Sequence, residues 1–99
     1  MIQDRHMDIA KILNHYGRDN QLLKSIEELD ELKDAIRKER TADTLDNYEY
    51  DVKSEIMTEI ADVLIMCEQL RLMHSIPLCE LEREINYKVD RQLQRMEEK

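Results

Sequence analysis

The chain has 99 residues, which is enough for one domain over 1–99 and leaves no room for a second. It has no Trp and no Phe, so its core must come from aliphatic side chains, methionines and four tyrosines, and oligomerisation is a natural way to enlarge such a core. A formal net charge of −8 disfavours binding to nucleic acid, whose phosphates require a basic surface.

The first half of the chain shows the three- and four-residue apolar spacing of two amphipathic helices. The first helix is predicted over 2–16, and Gly17 is expected to end it. The second helix is predicted over 20–40. Its expected core face consists of Leu22, Ile26, Leu29, Leu32 or Lys33, and Ile36.

The second half predicts two more helices after a connection over 41–51, where Asp, Asn and Thr break the apolar pattern. The third helix is predicted over 52–74, and Pro77 marks the junction to a fourth helix that runs from 78 to near the end. The residues expected to point inward are Val52, Ile56, Ile60, Val63, Leu64, Cys67 and Leu70 on the third helix, and Leu78, Leu81, Ile85, Val89, Leu93 and Met96 on the fourth. Four helices with short joints predict an all-α four-helix bundle.

The cysteines and the lack of a long apolar run indicate the compartment. Cys67 and Cys79 form no CxxC pair and fall at or near apolar helical positions, so we expect buried free thiols in a reducing environment. No apolar run approaches the roughly 18 residues of a membrane span, and no signal-peptide core follows Met1. These features predict a cytoplasmic protein with no membrane partner.

Acidic side chains gather on the second and third predicted helices. Glu27, Glu28 and Glu31 are three and four residues apart, so they can converge on one point. Glu59 and Asp62 share one face of the third helix, and Asp62 interrupts an otherwise apolar run. Because a buried carboxylate is costly and like charges repel, we expect a cation between these groups.

Antiparallel packing of the two helices would bring the acidic groups face to face around one cavity. An all-oxygen cage of this kind suits Mg²⁺ or Mn²⁺. Mg²⁺ often shares its coordination with substrate phosphates, so a chelated triphosphate fits such a site. Lys88, Arg91 and Arg95 form a basic stripe on the fourth helix, which could hold the remaining phosphate oxygens.

The two acidic segments read Glu27-Glu28-Leu29-Asp30-Glu31 and, after a long gap, Glu59-Ile60-Ala61-Asp62. A later segment reads Asn86-x-Lys88-x-x-Arg91. In this order the segments resemble the EExxE…ExxD signature and the C-terminal Asn-x-Lys…Arg segment of the MazG-type nucleotide pyrophosphohydrolases, members of the all-α NTP pyrophosphatase superfamily. Asp30 departs from the family pattern, in which many members carry Gly at this position.

The resemblance implies a MazG-like bundle that hydrolyses a nucleoside triphosphate, an NTP or a dNTP, to the monophosphate and pyrophosphate with Mg²⁺ or Mn²⁺. It implies metal ligands at Glu28, Glu31, Glu59 and Asp62. Glu27 would be a further ligand or the residue that orients the attacking water. Lys88 and Arg91 would hold substrate phosphates, and a homodimer or a dimer of dimers would complete the site.

Three other classes of protein compete with this interpretation. One of them, a small regulator that binds nucleic acid, is disfavoured by the net charge of −8. A di-iron or di-manganese carboxylate bundle uses Glu-x-x-His pairs, and no histidine of this chain stands three residues after a glutamate. A non-enzymatic helical interaction or oligomerisation module explains the high charged fraction. It does not explain an aspartate in the most apolar run of the chain.

Overall fold

The structure is a computed structural model that describes residues 2–41 and 48–98. These residues form four α-helices preceded by a 3-10 turn and contain no strand, so the all-α prediction is confirmed for this part of the chain. The elements in order are the 3-10 turn Ile2–Arg5, α1 His6–Tyr16, α2 Arg18–Thr41, α3 Tyr48–Met73 and α4 Leu78–Glu97.

The connection predicted over 41–51 is shorter than expected. α2 continues to Thr41 and α3 already begins at Tyr48, because no Gly or Pro stops either helix at these points. The remainder of the predicted connection, 42–47, lies outside the described residues.

Two sequence signals set helix boundaries as predicted. Gly17 has a φ of 89°, which glycine adopts without strain, and its N–H donates to the Leu13 carbonyl at 2.8 Å where α1 ends. Pro77 directly precedes α4, and its carbonyl accepts a hydrogen bond from the Leu81 N–H at 3.2 Å.

α2 and α3 form the central pair of helices, and α1 packs against both. Ser25 Oγ lies 3.4 Å from Met66 Sδ, while Lys38 Nζ lies 3.4 Å from Glu55 Oε2. Residue numbers therefore rise along α2 as they fall along α3, which makes the pair antiparallel. Ser25 and Ala35 are small and buried, so they allow the two helices to approach closely.

The core face predicted for α2 is wrong for the single chain. The predicted core residues that are exposed are Ile26, Leu29 and Ile36. The residues of α2 that are buried instead are Gln21, Ser25, Glu28 and Ala35. The helical period finds an apolar face but does not identify what covers it. Here the face with small and acidic side chains packs on α3, and the apolar stripe is left outside.

Similar corrections apply to α3 and α4. Ile60, Leu64 and Cys67 were expected to point inward but are exposed, and Cys79 is exposed as well, so the prediction of buried thiols is wrong. No described residue of α4 is buried, and α4 takes no substantial part in the packing of the other helices. The radius of gyration is 16.7 Å, against about 13 Å for a compact domain of this length. Three helices therefore pack together and the fourth projects from them.

Candidate metal centre

The antiparallel pair brings four carboxylates together. Glu28 and Glu31 share one face of α2, and Glu59 and Asp62 share one face of α3, because residues three apart are neighbours on a helix surface. One carboxylate oxygen from each residue can be chosen so that all four lie within 4.8 Å of one another. We call this group the acidic cluster. The ligand set expected from the sequence is thus brought to one point.

Two oxygens of the acidic cluster are buried without a partner. Glu28 is buried at 5 % exposure, Glu59 and Asp62 are half-buried, and Glu31 is exposed. Among the described residues, neither Glu28 Oε2 nor Glu59 Oε2 has a hydrogen-bond partner. A buried oxygen that carries negative charge and lacks a donor is costly. The cluster therefore contains two lone-pair positions suited to a bound cation.

The charges of the cluster repel one another. The negative charge of Glu28 raises the pKa of Glu31, with burial and the charge of Glu59 acting in the same direction. Burial raises the pKa of Asp62, and the charge of Glu28 raises it further. Lys24 Nζ lies 3.1 Å from Glu28 Oε1, and this hydrogen bond raises the pKa of Lys24. One ammonium group beside four carboxylates leaves a strong net negative charge.

The chemistry of the donor set restricts the kind of cation. All four ligands are carboxylates, and no histidine or cysteine belongs to the cluster in the described part of the chain. Hard divalent cations such as Mg²⁺, Mn²⁺ and Ca²⁺ prefer oxygen ligands, whereas zinc sites and iron–sulfur clusters rely on thiolates and imidazoles. The residues present therefore fit a hard divalent cation.

A recess adjoins the cluster on each side. The first has a volume of about 640 Å³ and lies where α1, α2 and α3 meet, and its wall includes Glu28 and Asp62 of the cluster as well as Tyr16, Gln21 and Gln69. We call it the amide recess. The second has a volume of about 510 Å³ and is lined by residues of α2 and α3. Its lining is Glu31, Asp34, Ala35, Arg37, Lys38, Thr41, Glu55 and Glu59, and we call it the second recess.

The other predicted site residues lie outside the four-carboxylate group. Glu27 is exposed and lines the amide recess beside the cluster. Lys88 and Arg91 are exposed on the projecting α4, so the single chain does not bring them to the carboxylates by helix packing. Glu55, one turn before Glu59, pairs with Lys38 instead of joining the cluster.

Two polar residues beside the cluster received no functional role from the sequence. Lys24 pairs with Glu28, and its position four residues earlier on α2 is a signal that the sequence does contain. Gln69 lies in the wall of the amide recess. It follows Asp62 by seven residues and therefore lies on the same face of α3. In a sequence rich in charged residues, an uncharged amide gives no signal of a functional role.

Comparisons with family models, curated proteins and solved structures give no match to this chain. In the part of the chain that the structure describes, no helix is both long and apolar enough to cross a membrane.

Proposed function

We propose that the protein is a metal-dependent nucleoside triphosphate pyrophosphohydrolase. The observation that supports this most directly is the acidic cluster, in which two antiparallel helices supply four carboxylates within 4.8 Å and two of their buried oxygens lack partners. The order of the acidic segments along the chain, which resembles that of the MazG-type enzymes, adds the reaction class. Mg²⁺ is the cation proposed, with Mn²⁺ as a substitute.

The proposed reaction is attack of water on the α-phosphorus of the nucleotide. The new oxygen–phosphorus bond forms as the bridge between the α- and β-phosphates breaks, and pyrophosphate leaves. The cation would be held by Glu28, Glu31, Glu59 and Asp62. It would polarise phosphoryl oxygens and offset the charge that develops on them. Glu27, which is exposed and lines the amide recess, would orient the water and accept its proton.

Positive charge for the phosphates would come from Arg37 and from α4. Arg37 lines the second recess together with Glu31 and Glu59 and belongs to the same chain as the cluster. Lys88 and Arg91 lie on α4, which packs on no helix of its own chain to a substantial extent. We therefore propose that α4 of a second copy supplies Lys88 and Arg91, within a homodimer or a dimer of dimers.

An interaction or oligomerisation module is the second candidate, favoured by the apolar residues exposed on α4. The relevant side chains are Leu81, Ile85, Val89, Leu93 and Met96, each at least 37 % exposed. An oligomer would cover them whether or not the protein is an enzyme. The module does not account for the partnerless buried oxygens of Glu28 and Glu59, and therefore the enzyme is preferred.

The test combines calorimetric titration with Mg²⁺ or Mn²⁺ and pyrophosphate release from a panel of NTPs and dNTPs. We expect the wild type to bind the cation and to release pyrophosphate only when it is present. Glu59→Gln removes one charge and one ligand oxygen, and should lower turnover by about a hundredfold or more.

Asp30→Asn is the matched control. It removes a negative charge from the same helix, but Asp30 is exposed and pairs with Lys33 at 3.2 Å outside the cluster. We expect its turnover to stay within about twofold of the wild type, since exposed ion pairs contribute little. Absence of cation binding by the wild type, with or without nucleotide, would contradict the proposal. Equal losses of turnover in Glu59→Gln and Asp30→Asn would also contradict the proposal.

A further inference from the structure

Gln69 is the most deeply buried polar side chain of the described residues. Its exposure is 0 %, and both amide atoms, Nε2 and Oε1, are buried with no hydrogen-bond partner in the part of the chain that the structure describes. A buried amide normally pairs both groups, because an unpaired donor or acceptor retains the full cost of its desolvation. Gln69 therefore has one donor and one acceptor, side by side, that the fold leaves unused.

The recess that Gln69 lines has both charged and uncharged groups in its wall. Glu28 and Asp62 belong to the acidic cluster, and Lys24 pairs with Glu28. Besides Glu27, the rest of the wall combines apolar side chains and Tyr16 with three uncharged amides, those of Asn20, Gln21 and Gln69. The Asn20 side chain donates from Nδ2 to the Tyr16 carbonyl at 2.7 Å, which leaves its oxygen free to accept. A ligand that fits this wall has one charged end, held at the cluster, and one uncharged polar end.

Tyr16 is an exposed aromatic residue of the amide recess. It is the last residue of α1, it belongs to the lining of the recess, and it is 57 % exposed. The His15 ring meets it edge-on at 4.7 Å, so one aromatic neighbour already restrains its orientation. An exposed aromatic ring beside amide groups suits a flat heteroaromatic ligand, whose face stacks on the ring while its edge forms hydrogen bonds.

We propose that the amide recess binds the nucleobase of the substrate, with Gln69 pairing the base edge and Tyr16 stacking on its face. This proposal rests on the proposed pyrophosphohydrolase function, since the cluster would hold the phosphate end of the same ligand. Each nucleobase presents a hydrogen-bond donor next to an acceptor on its pairing edge, in an order that differs between bases, so a carboxamide held in one orientation pairs with some bases and not with others. The Gln69 side chain is 0 % exposed, so pairing with a base requires a rotamer change about its three torsions that brings the amide into the recess.

The first experiment compares Gln69→Met with the wild type. Methionine has a similar volume and no donor or acceptor, so the fold should be as stable as before or more so, because a partnerless buried amide is removed. We expect kcat/KM for the preferred nucleotide to fall about tenfold or more, and the preference among bases to narrow to within about threefold. The affinity for Mn²⁺ measured by calorimetry should not change, because the cluster remains intact.

A second pair of variants does not depend on the folding of Gln69→Met. Tyr16→Phe keeps the ring and should retain the base preference of the wild type. Tyr16→Leu removes the ring from an exposed position, and should raise KM for the preferred nucleotide about tenfold. A purely structural role of Gln69 and Tyr16 would leave the ratio of kcat/KM values among bases unchanged in Gln69→Met and Tyr16→Leu, and that result would overturn the proposal.

Binding of free nucleosides separates this inference from the reaction. Nucleosides carry no phosphate, so they test the recess alone, and their binding can be followed through the side-chain amide signals of Gln69 in ¹H–¹⁵N spectra. We expect at least one common nucleoside to shift these signals at millimolar concentration, and binding of that nucleoside to be lost in Gln69→Met. Nucleoside binding without pyrophosphate release would keep the base site and reject the enzyme. Pyrophosphate release with no effect of either substitution on base preference would keep the enzyme and reject the base site.

Discussion

At the scale of single residues, Asp62 shows how the environment decides what a carboxylate does. It is half-buried, and no ion pair of Asp62 is found within 2–41 and 48–98. Burial and the charge of Glu28 raise its pKa above the usual 3.8. Its folded-state pKa therefore exceeds its unfolded value, so the ionised form disfavours folding. This unfavourable contribution to the free energy of folding is absent at low pH and develops as the pH rises through the unfolded-state and folded-state pKa values.

The corresponding prediction concerns Asp62→Asn without metal. The amide keeps the shape and removes the charge, so in EDTA at pH 7 the variant should unfold at the same temperature as the wild type or at a higher one. At about pH 3 both side chains are neutral, and the two melting temperatures should converge. Pyrophosphate release should fall by about a hundredfold or more, because a ligand oxygen loses its charge.

Thermal unfolding at the two pH values and one activity assay complete this test. A variant that is clearly less stable than the wild type at pH 7 would show that Asp62 has a favourable partner in the folded chain. A variant with wild-type turnover would exclude Asp62 as a ligand. Glu31 is unsuitable for the same experiment, since its exposed carboxylate has the solvent as an alternative partner.

The residues of the acidic cluster could be predicted from the sequence, whereas Gln69 could not. Four acids at three-residue spacing on two helices are recognisable because charge is conspicuous and the helical period fixes which side chains share a face. An unused amide is recognisable only once the packing shows that nothing pairs with it. Burial and hydrogen-bond partners depend on three helices at once, and a linear pattern does not contain them.

At the scale of helices, the end of α3 is held by an ion pair that the sequence analysis did not consider. Arg71 Nε donates to Glu68 Oε1 at 2.8 Å, and Arg71 Nη2 donates to Glu68 Oε2 at 2.6 Å. The third nitrogen, Nη1, donates to the Ile76 carbonyl at 2.9 Å in the turn before α4. The Glu68 and Arg71 side chains are 6 % and 14 % exposed, so water competes little for these bonds.

Glu68→Gln tests this contact through the stability of the protein. The hydrogen bond from Arg71 lowers the pKa of Glu68 below its usual 4.5, although burial opposes the shift. Because the folded-state pKa is lowered, the stabilisation is fully present at pH values above the unfolded-state pKa. It is lost as the pH falls through the folded-state pKa. We expect the substitution to cost about 2 kcal/mol at pH 7, between the values for exposed and fully buried pairs.

The comparison needs a second arginine–carboxylate pair with the same spacing, and Arg5–Asp8 provides it. The two residues are three apart in sequence, and Arg5 Nε lies 2.8 Å from Asp8 Oδ2. Their side chains, however, are 72 % and 54 % exposed. Asp8→Asn should therefore cost at most about 0.5 kcal/mol. Denaturant unfolding at pH 7 and at successively lower pH measures both variants. Equal costs at pH 7, or a cost of Glu68→Gln that does not decrease as the pH falls, would contradict the role given to the Glu68 carboxylate.

The positions of helices could be predicted more successfully than the faces that they bury. Gly17 and Pro77 act through their own backbone conformations, so their effects are local and visible in the sequence. Whether Ile26 or Ser25 faces α3 depends on which neighbour each face meets. In this chain an apolar face of α2 lies outside while a polar one is buried, a choice that the period of the sequence does not determine.

At the scale of the whole molecule, the single chain exposes more surface than a folded protein of its size normally does. Its accessible surface is 8351 Å². A monomeric protein of this mass is expected to expose about 6,000 Å². The excess of roughly 2,000 Å² is larger than the about 800 Å² that each partner buries in a stable interface of standard size. The projecting α4 and the apolar stripe of α2 account for where such an interface would form.

The last prediction is that a second copy of the chain covers the apolar stripe of α4. Light scattering after size-exclusion chromatography at micromolar concentration should give twice or four times the mass of one chain. Ile85→Glu places a charge on the stripe, where Ile85 is 51 % exposed in the single chain, and should shift the mass toward that of a monomer. Tyr87→Glu is the matched control, because Tyr87 is also exposed, at 59 %, but lies on the opposite face of α4. The mass of this variant should equal that of the wild type. A wild type that is monomeric and fully active would show that the stripe needs no partner, and that Lys88 and Arg91 of a second chain take no part in the reaction.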